Sequence, residues 1–407
     1  MEQIVVIGGG HAAAQLCAGL AEAGIGQQVQ LVCEEPLLPY QRPPLSKTFL
    51  KNPQETTQVH KAENWYHQAG IIVHVGDPAV RVDRENRRVH LRSGTVLTWT
   101  RLVLATGTRA RAMPGWPADL ANVVSLRMAE HATRLRELLA VAPSVTVIGG
   151  GFIGLEVAAT AAALGKPVTV LESAPRLMGR AVSPMLSEFV LGIHRASGID
   201  IRLNTRLDDA RFDAGRLTAL SVGGQPVPVD LVVMGIGAVP ETTLAEAAGL
   251  ECSDGVIVDA SMRTNDPAVL AIGDCTRFAD RRSGKVIRLE SVQNANDQAR
   301  TAVATLRGEP RDHDAVPWFW SDQGTIRLQM AGLVPPEPTP GHVVVRRPGA
   351  SERSFSLFHY VDGTLRCVES VNAAPDHIAA RKLLDLGRNP DPALVGDPSV
   401  ALKTLLA

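Results

Sequence analysis

The chain is poor in cysteine and in net charge, and each shortage excludes some classes of function. It has five cysteines in 407 residues, none in a C-x-x-C or C-x-x-x-x-C pair, so we expect neither a disulfide framework nor a metal site. A net charge of −1 gives no bulk field that would favour nucleic acid or a membrane surface. No apolar run reaches the roughly 18 residues of a membrane span.

The apolar content and the first residues indicate a globular protein of the cytoplasm. Apolar residues make up 45% of the chain, and its length favours two or three domains. The first predicted strand begins at Ile4, which leaves no room for a signal peptide. Cysteines that form no recognisable pairs fit a reducing compartment. We therefore expect a cytoplasmic location.

One pattern is present twice. Residues Ile4–Glu34 and Val145–Glu172 each contain an apolar strand, three consecutive glycines, an Ala-rich helix, a second strand and a terminal acid. A single G-x-G-x-x-G is weak evidence for a nucleotide site. Two copies that each close on a carboxylate predict two bound dinucleotides. The repeat therefore indicates a protein that moves electrons between two nucleotide cofactors.

The first copy has the residue types that a dinucleotide site needs. Gly8, Gly10 and Ala13 fill the three small positions, which permit a tight turn, close approach of a pyrophosphate and close helix packing. The helix predicted from His11 would direct its N–H groups at the phosphates, with the histidine as a polar neighbour. Glu34 ends the next strand and can accept both ribose hydroxyls. The alternative is a Gly-rich turn in an unrelated α/β protein.

The second copy has glycine at all three positions, Gly149, Gly151 and Gly154. Glu172 ends the following strand. A carboxylate there favours the free 2′-hydroxyl of NAD(H) and repels the 2′-phosphate of NADP(H). We therefore predict a preference for NADH.

Three further side chains near the second loop leave alternatives open. Arg176 and Arg180 follow Glu172 closely and can still bind a phosphate. Glu156, near the start of the predicted helix, either hydrogen-bonds a carboxamide or stabilises the helix N-terminus. The residues alone do not decide between these two roles.

Other segments predict strand ends and a helix that face a ligand. Leu102–Gly107 and Leu231–Gly237 are apolar strands that we interpret as crossings between two domains. Thr264–Asp274 ends in Gly-Asp, where the carboxylate either binds a polyol hydroxyl or caps a helix. Ser291–Leu306 is predicted as a helix, whose N-terminus would stabilise negative charge on a reduced ring.

The predicted fold class is α/β, with two Rossmann-like domains and a small C-terminal α+β domain. We assign residues 1–112 and 238–314 to the first domain, 113–237 to the second and 315–407 to the third. The third begins with the cluster Trp318-Phe319-Trp320. Its remaining elements are predicted as strands at 326–331, 342–346 and 354–360 and helices near 375–386.

Taken together, these features resemble the flavoprotein pyridine-nucleotide reductases, the glutathione-reductase-like family. Two segments narrow the resemblance: Leu38–Lys47 (LPYQRPPLSK) and Pro317–Gln323 (PWFWSDQ) are similar to the FAD-dependent ferredoxin reductases of bacterial oxygenase systems. The resemblance covers the whole chain. It implies tightly bound FAD at the first glycine loop and NADH as co-substrate at the second.

The function implied by the resemblance is that of an NADH-dependent ferredoxin reductase. A hydride would pass from NADH to FAD, and single electrons would then pass to a [2Fe-2S] ferredoxin, Rieske-type or Cys-ligated. That ferredoxin would feed a Rieske aromatic-ring dioxygenase or a cytochrome P450. SDQGTIRLQMAGL and PRLMGR look closer to the dioxygenase branch, and hence to aromatic hydrocarbon catabolism. No nucleic acid or membrane partner is expected.

The resemblance also implies where each cofactor is held. For FAD the residues are Gly8, Gly10, His11, Ala12, Ala13 and Glu34 at the ADP half, Arg42 near the pyrophosphate, Lys47 near the isoalloxazine, Val80 at the adenine, Thr106 and Gly107 along the flavin, Arg127 on the phosphate side, Gly273 and Asp274 at the ribityl chain, Val292 at the pyrimidine end and Trp320 over a ring face. For NADH they are Gly149, Gly151, Phe152, Ile153, Gly154, Glu156, Glu172, Arg180, Gly235 and Gly237.

The chemistry of these residues agrees with the resemblance. Lys47 would place positive charge where a reduced flavin becomes anionic, and the indole of Trp320 would cover a flat ring. Lys47, Glu156 and Trp320 would lie near the reacting rings. Hydride and electron transfer need no acid–base or nucleophilic side chain, so we name no catalytic residue.

The absence of thiols separates this chain from related enzymes. Disulfide reductases of the same architecture carry a C-x-x-x-x-C pair after the first acid, in the stretch that is Arg42–Lys51 here. No cysteine lies between Cys33 and Cys252, and we interpret Cys33 as a packing residue. The remaining alternatives are a reductase of rubredoxin or another acceptor, or a flavin-bound interaction protein similar to apoptosis-inducing factor.

A ferredoxin dock is expected to be locally basic, because ferredoxins are often acidic. The candidates are Arg281-Arg282, Arg346-Arg347 and the pair Arg176 and Arg180. The alternative for each is an ordinary solvated surface.

Overall fold

The computed structural model describes residues 2–406. The helices are α1 (His11–Glu22), α2 (Thr48–Lys51), α3 (Glu63–Gln68), α4 (Ala129–Val141), α5 (Phe152–Ala163), α6 (Pro184–Ala196), α7 (Thr243–Ala247), α8 (Val292–Leu306), α9 (Ala374–Asp385) and α10 (Pro392–Gly396). The strands are β1 (Ile4–Ile7), β2 (Val29–Cys33), β3 (Ile72–Val75), β4 (Ala79–Asp83), β5 (Arg88–Leu91), β6 (Val96–Thr98), β7 (Arg101–Leu104), β8 (Thr108–Ala110), β9 (Val123–Ser125), β10 (Val145–Ile148), β11 (Val168–Leu171), β12 (Asp200–Arg202), β13 (Leu207–Asp213), β14 (Arg216–Val222), β15 (Gln225–Pro228), β16 (Leu231–Met234), β17 (Ala238–Pro240), β18 (Val256–Ile257), β19 (Val269–Ala271), β20 (Thr276–Asp280), β21 (Lys285–Ile287), β22 (Trp318–Gln323), β23 (Ile326–Gly332), β24 (His342–Pro348), β25 (Phe355–Val361) and β26 (Thr364–Val371).

The chain divides into two compact units, each built from separate stretches. The first contains 1–42, 56–109 and 238–315, and the second contains 43–55, 110–237 and 316–407. The C-terminal stretch therefore belongs to the same unit as the second glycine loop. The three domain boundaries predicted from the sequence stay a prediction.

The first unit is built on a five-stranded parallel sheet in the order β19-β7-β1-β2-β3. Strand β1 is the apolar run Ile-Val-Val-Ile, and all four residues are buried, as expected for a parallel strand covered on both faces. Helices α1 and α8 pack against each other. The parallel arrangement brings the carboxyl ends of β1, β7 and β19 to one edge, where ligands of such sheets bind.

The second unit contains a parallel sheet and an antiparallel one. The parallel sheet has the order β12-β11-β10-β16-β9, and β10 is again a fully buried apolar strand. The antiparallel sheet, β22-β23-β26-β25-β24, is formed by the C-terminal residues, with α9 packed on β23 and β26. We call it the C-terminal sheet. The predicted α/β class, with a C-terminal α+β part, is confirmed.

Most predicted elements are present, but several small sheets were not predicted. Three-stranded sheets are formed by β4-β5-β6, by β13-β14-β15 and by β18-β20-β21, and β8 pairs with β17. Their strands are partly exposed, so they lack the continuous buried runs that mark β1 and β10. Within residues 2–406, no helix combines the length and apolarity needed to cross a bilayer.

Candidate cofactor sites

The first glycine loop has a backbone that only glycine can adopt. Gly8 has φ +125°, and a Cβ there would overlap the carbonyl oxygen of Ala105. Its N–H donates to the oxygen of Val32 at 2.8 Å, which ties the loop to β2. Gly10 is the N-cap of α1, and a Cβ on it would meet open space. The helix therefore begins at an unobstructed cradle, which suits a pyrophosphate.

Other residues predicted for FAD lie beside this loop in the first unit. Gly8 packs against the start of the Thr106-Gly107 segment. Gly273 has φ +82°, and a Cβ on it would lie 3.1 Å from that of Ala12, so Asp274 follows a strand end held close to α1. Ser291 caps α8 by accepting the N–H of Asn294 at 3.0 Å, which places Val292 at the first position of that helix.

Two adjacent acids at the end of β2 have different surroundings. Glu34 is exposed. Glu35 accepts the hydroxyl of Tyr40 at 2.7 Å and Nη2 of Arg42 at 2.9 Å. The guanidinium predicted to lie near the pyrophosphate is therefore ion-paired to Glu35.

Val80 lies at an irregularity in the register between β4 and β5, which leaves its backbone outside the strand ladder, as an adenine contact requires.

The second glycine loop repeats the geometry of the first. Gly149 has φ +104°, and a Cβ there would overlap the oxygen of Gly235. Its N–H donates to the main-chain oxygen of Leu171 at 2.8 Å, just as the N–H of Gly8 donates to that of Val32. A Cβ on Gly154 would overlap the oxygen of Gly149, so glycine is required for close packing of α5 on its strand. Gly151 is the N-cap of α5, ahead of Phe152 and Ile153.

Glu172 fixes this loop through its carboxylate. Its Oε2 accepts the N–H of Gly150 at 2.6 Å, and its Oε1 accepts that of Ala174 at 2.7 Å. Oε1 also accepts the hydroxyl of Ser173 at 3.4 Å, while Oε2 keeps a second lone pair that can accept a ribose hydroxyl. Arg180 is exposed, with Nη2 3.4 Å from where a Cβ on Gly237 would lie. Arg176 is occupied, since it donates to the oxygens of Val182 and Gly179.

A buried ion pair joins Lys47 to Glu156, both in the second unit. Nζ of Lys47 lies 2.6 Å from Oε2 of Glu156, and their side chains are 18% and 4% exposed. The same oxygen accepts the hydroxyl of Ser46 at 2.5 Å, while Oε1 accepts that of Ser321 at 2.7 Å. A carboxylate this deeply buried is stable only when paired and hydrogen-bonded. Glu156 is therefore held by side chains rather than by the helix terminus alone.

Further polar residues, which were not predicted from the sequence, surround this pair. Nε2 of Gln323 donates to the hydroxyl of Ser321 at 3.1 Å, and Oε1 of Gln323 accepts from Nε2 of His194 at 2.8 Å. Burial lowers the pKa of His194, against the opposing effect of its hydrogen bond to Gln323. A signal was present: Ser321 and Gln323 alternate with the tryptophans in the PWFWSDQ segment. Alternation in a strand places them on the opposite face.

The aromatic residues of β22 follow the same alternation. The ring of Phe319 lies edge-on to that of Phe152, the first residue of α5, with ring centroids 4.8 Å apart. Trp318 and Trp320 lie together with ring centroids 5.8 Å apart. The guanidinium carbon of Arg381 lies over the ring of Trp318, 4.1 Å from its centroid. Phe319 and Trp318 are thus held by packing. Three residues predicted for FAD belong to the second unit: Lys47, Arg127 and Trp320.

The cysteines are suited to packing and not to thiol chemistry. All five are free, and four of them are buried: Cys17, Cys33, Cys275 and Cys367. Burial and the nearby charge of Glu35 raise the pKa of Cys33 to about 12, so its reactive thiolate is not populated at neutral pH. Among residues 2–406, no group of acids, histidines and cysteines can hold a metal ion.

One arginine of a pair considered for docking is occupied inside the fold. Arg347 is buried and donates to the main-chain oxygens of Val395, Asp397 and Val400, so it clamps the C-terminal segment. Its interpretation as a docking or solvated residue is wrong, because a side chain at the centre of these contacts cannot face a partner. Arg281 is ion-paired with Asp312, and Arg282 with Asp314.

The residues present fit two dinucleotides. Each loop has an uncapped helix start without an acid in its first turn, glycines at the positions where a side chain would collide, and a carboxylate beyond the next strand. FAD at the first loop and NAD(H) at the second, as predicted from the sequence, would use these features in full.

Comparisons with known proteins agree with this geometry. Residues 2–299 match the family model described as pyridine nucleotide-disulphide oxidoreductase, and residues 318–406 match the reductase C-terminal model. Rhodocoxin reductase of Rhodococcus erythropolis is 40% identical over 99% of this chain and 94% of its own. The ferredoxin reductase for the CYP199A2 system of Rhodopseudomonas palustris is 41% identical, with full coverage of both chains and a TM-score of 0.94.

A second solved structure is a covalent putidaredoxin reductase–putidaredoxin complex, 34% identical, covering 100% of this chain and 98% of the other, with a TM-score of 0.93. The resemblance seen in the sequence is thereby confirmed, and so are the predicted enzyme class and its cofactors, FAD and NAD(H). The chain belongs to the pyridine nucleotide-disulphide oxidoreductase family.

Proposed function

We propose that the protein is an NADH-dependent reductase of a [2Fe-2S] ferredoxin in an oxygenase system. The observation that carries the proposal is the Lys47–Glu156 pair. Where disulfide reductases of this architecture carry a cysteine pair, this chain presents a lysine that is ion-paired to the helix of the second glycine loop. With an amine and no thiol at this position, electrons cannot pass to a disulfide of the chain itself. This supports transfer to an external acceptor. The full-length similarity to ferredoxin reductases supports the same acceptor class.

The residues of the chain have separate tasks in this function. When bound, FAD accepts the hydride of NADH and releases its electrons one at a time. Gly8 and Gly149 let main-chain N–H groups approach the two pyrophosphates. Glu156 holds the amine of Lys47 in a fixed position, and that charge stabilises negative charge developing nearby. Trp320 supplies a flat apolar surface that keeps water from a ring face.

The test is NADH-dependent reduction of cytochrome c by the purified flavoprotein, with and without a [2Fe-2S] ferredoxin of an oxygenase system. We expect fast reduction only when the ferredoxin is present. Association of an acidic ferredoxin is electrostatic, so we expect the rate to fall by about tenfold or more between low and high salt. Reduction of ferricyanide, which needs no protein docking, serves as the control.

Two results contradict the proposal. One is fast cytochrome c reduction without ferredoxin, and the other is no stimulation by any ferredoxin of the class. Stimulation by rubredoxin alone would instead favour the rubredoxin reductase alternative. A rate that does not change with salt would exclude an electrostatic dock but not the reaction itself.

The nucleotide preference gives a second prediction. Glu172→Gln removes a charge that accepts two main-chain N–H groups and is proposed to accept the 2′-hydroxyl of NADH. We expect KM for NADH to rise by about tenfold, which corresponds to the free energy of one hydrogen bond to a charged group. The preference for NADH over NADPH in kcat/KM should decrease by a similar factor. Steady-state ferricyanide reduction with each nucleotide measures both.

Glu188→Gln is the matched control, because Glu188 is an exposed acid on α6 of the same unit. We expect it to leave both KM values unchanged. Glu172 does not select the coenzyme if wild-type enzyme prefers NADPH. The same follows if Glu172→Gln leaves the ratio of kcat/KM for NADH to that for NADPH unchanged.

We infer a location in the bacterial cytoplasm, where NADH is supplied and thiols stay reduced. Five free cysteines support this inference. Fractionation of the native host, with the flavoprotein followed by antibody, tests it.

A further inference from the structure

The C-terminal sheet contains a fully buried carboxylate that the proposed electron transfer does not use. Glu369, on β26, is 0% exposed. Its Oε1 accepts the main-chain N–H of Ser183 at 2.9 Å, and its Oε2 accepts the Ser183 hydroxyl at 2.5 Å. Nε2 of His359, also 0% exposed, lies 3.0 Å from the same Oε2. A buried carboxylate is costly unless such partners surround it.

Ser183 ends the loop that follows Glu172. We call residues 173–183 the β11–α6 loop; Ser183 is the N-cap of α6 and accepts the N–H of Leu186. The main chain of Met178, in the middle of the loop, donates to the oxygen of Gly150 at 2.9 Å. The loop therefore contacts the glycine loop at one point and Glu369 at another.

A second side chain of the C-terminal sheet contacts the same loop. Nε2 of Gln323 lies 3.7 Å from Sδ of Met178, and Oε1 of Gln323 meets His194 in the last turn of α6. Within the loop, Arg176 holds the oxygens of Gly179 and Val182. The loop is thus fixed by polar contacts along its length, and its exposed Arg180 projects from a rigid support.

We propose that Glu369 is a positioning residue for NADH: its carboxylate holds the β11–α6 loop in the conformation that binds the adenosine half of the nucleotide. The inference rests on the NADH site of the proposed function. Without the carboxylate, the N–H and hydroxyl of Ser183 lose their buried acceptor, and the loop relaxes away from Gly150. Binding of NADH weakens, while the hydride step of bound NADH, which takes place elsewhere, keeps its rate.

The test is Glu369→Gln, which preserves volume but presents an amide N–H₂ group toward donors. We expect the Kd of NAD⁺ for the oxidised holoenzyme, measured by isothermal titration calorimetry, to rise by about tenfold. FAD content and the rate of flavin reduction at saturating NADH should stay within about twofold of wild type. Glu352→Gln is the matched control, because Glu352 is an exposed acid between β24 and β25 of the same sheet.

Ser183→Ala removes only the hydroxyl partner and keeps the main-chain N–H. We expect a smaller rise in Kd, about threefold, and an effect in the double variant that is less than additive. An unchanged Kd in folded Glu369→Gln holoenzyme overturns the proposal. So does a parallel loss of FAD, of thermal stability and of NAD⁺ binding, which would indicate a general structural role, as would fully additive effects of the two substitutions.

These measurements need no ferredoxin. If wild-type holoenzyme binds NAD⁺ normally but fails to reduce any ferredoxin, the proposed function fails and the role of Glu369 is still decided by its own variants. If wild-type enzyme binds neither NAD⁺ nor NADH, the proposed function fails together with the inference that rests on it.

Discussion

Replacing Lys47 by methionine is expected to slow flavin reduction by NADH by about 100-fold or more. Methionine has a similar length but no charge, so the stabilisation of negative charge near the ring is lost; removing one such group typically costs a factor of 10² to 10³. The bound FAD should remain, because Lys47 is not part of the glycine loop that we propose holds it. Bleaching of the flavin absorbance band in a stopped-flow instrument measures the rate.

Loss of Lys47 also leaves Glu156 as an unpaired buried carboxylate, which on its own destabilises a fold by about 3–5 kcal/mol. The double variant Lys47→Met/Glu156→Gln removes both charges. We expect it to recover most of the thermal stability but not the rate. Lys51→Met, an exposed lysine at the end of α2, is the control and should behave as wild type. Recovery of the rate in the double variant would show that Lys47 acts only through stability.

Gly8→Ala is expected to give a protein without FAD. The added Cβ would overlap the oxygen of Ala105, and a φ of +125° is strained for any residue with a side chain. Relief of both problems requires the loop to move away from β7, which displaces the N-terminus of α1 from the pyrophosphate. The measurement is the ratio of flavin to protein absorbance after purification.

Gly24→Ala separates strain from collision. Gly24 also has a positive φ, +75°, but a Cβ there would meet nothing within 4 Å. Its cost should be only the conformational penalty of about 1–2 kcal/mol, with FAD fully retained. If Gly8→Ala also retains FAD at the wild-type ratio, the first glycine loop does not hold that cofactor.

The glycine loops could be predicted from the sequence because they are local. Everything that defines them, from the strand through the glycines to the helix, lies within a few residues, and the left-handed backbone of Gly8 and Gly149 follows from residue type. Helix α1 begins at His11, as predicted. Fully buried apolar strands such as β1 were equally clear, since burial on both faces requires an unbroken apolar run.

The side-chain networks could not be predicted in this way. Lys47 and Glu156 are separated by 109 positions, and Ser183 and Glu369 by 186. No local pattern encodes which of many serines and acids will meet, because that depends on how separated strands assemble. Strands β13–β15 were missed for a different reason: they are partly exposed and lack the apolar periodicity that marks a core strand.

The discontinuous make-up of the two units has a consequence for synthesis on the ribosome. The first glycine loop is made at once, but strand β19 and Gly273, which complete its sheet and its ligand edge, follow only after the whole stretch 110–237 of the other unit. Domains fold as units once their residues are available. The nascent chain therefore carries an unfinished parallel sheet, with β7 lacking its outer neighbour, until about two thirds of the protein has been translated. Cofactor capture is consequently a late event in the life of this chain.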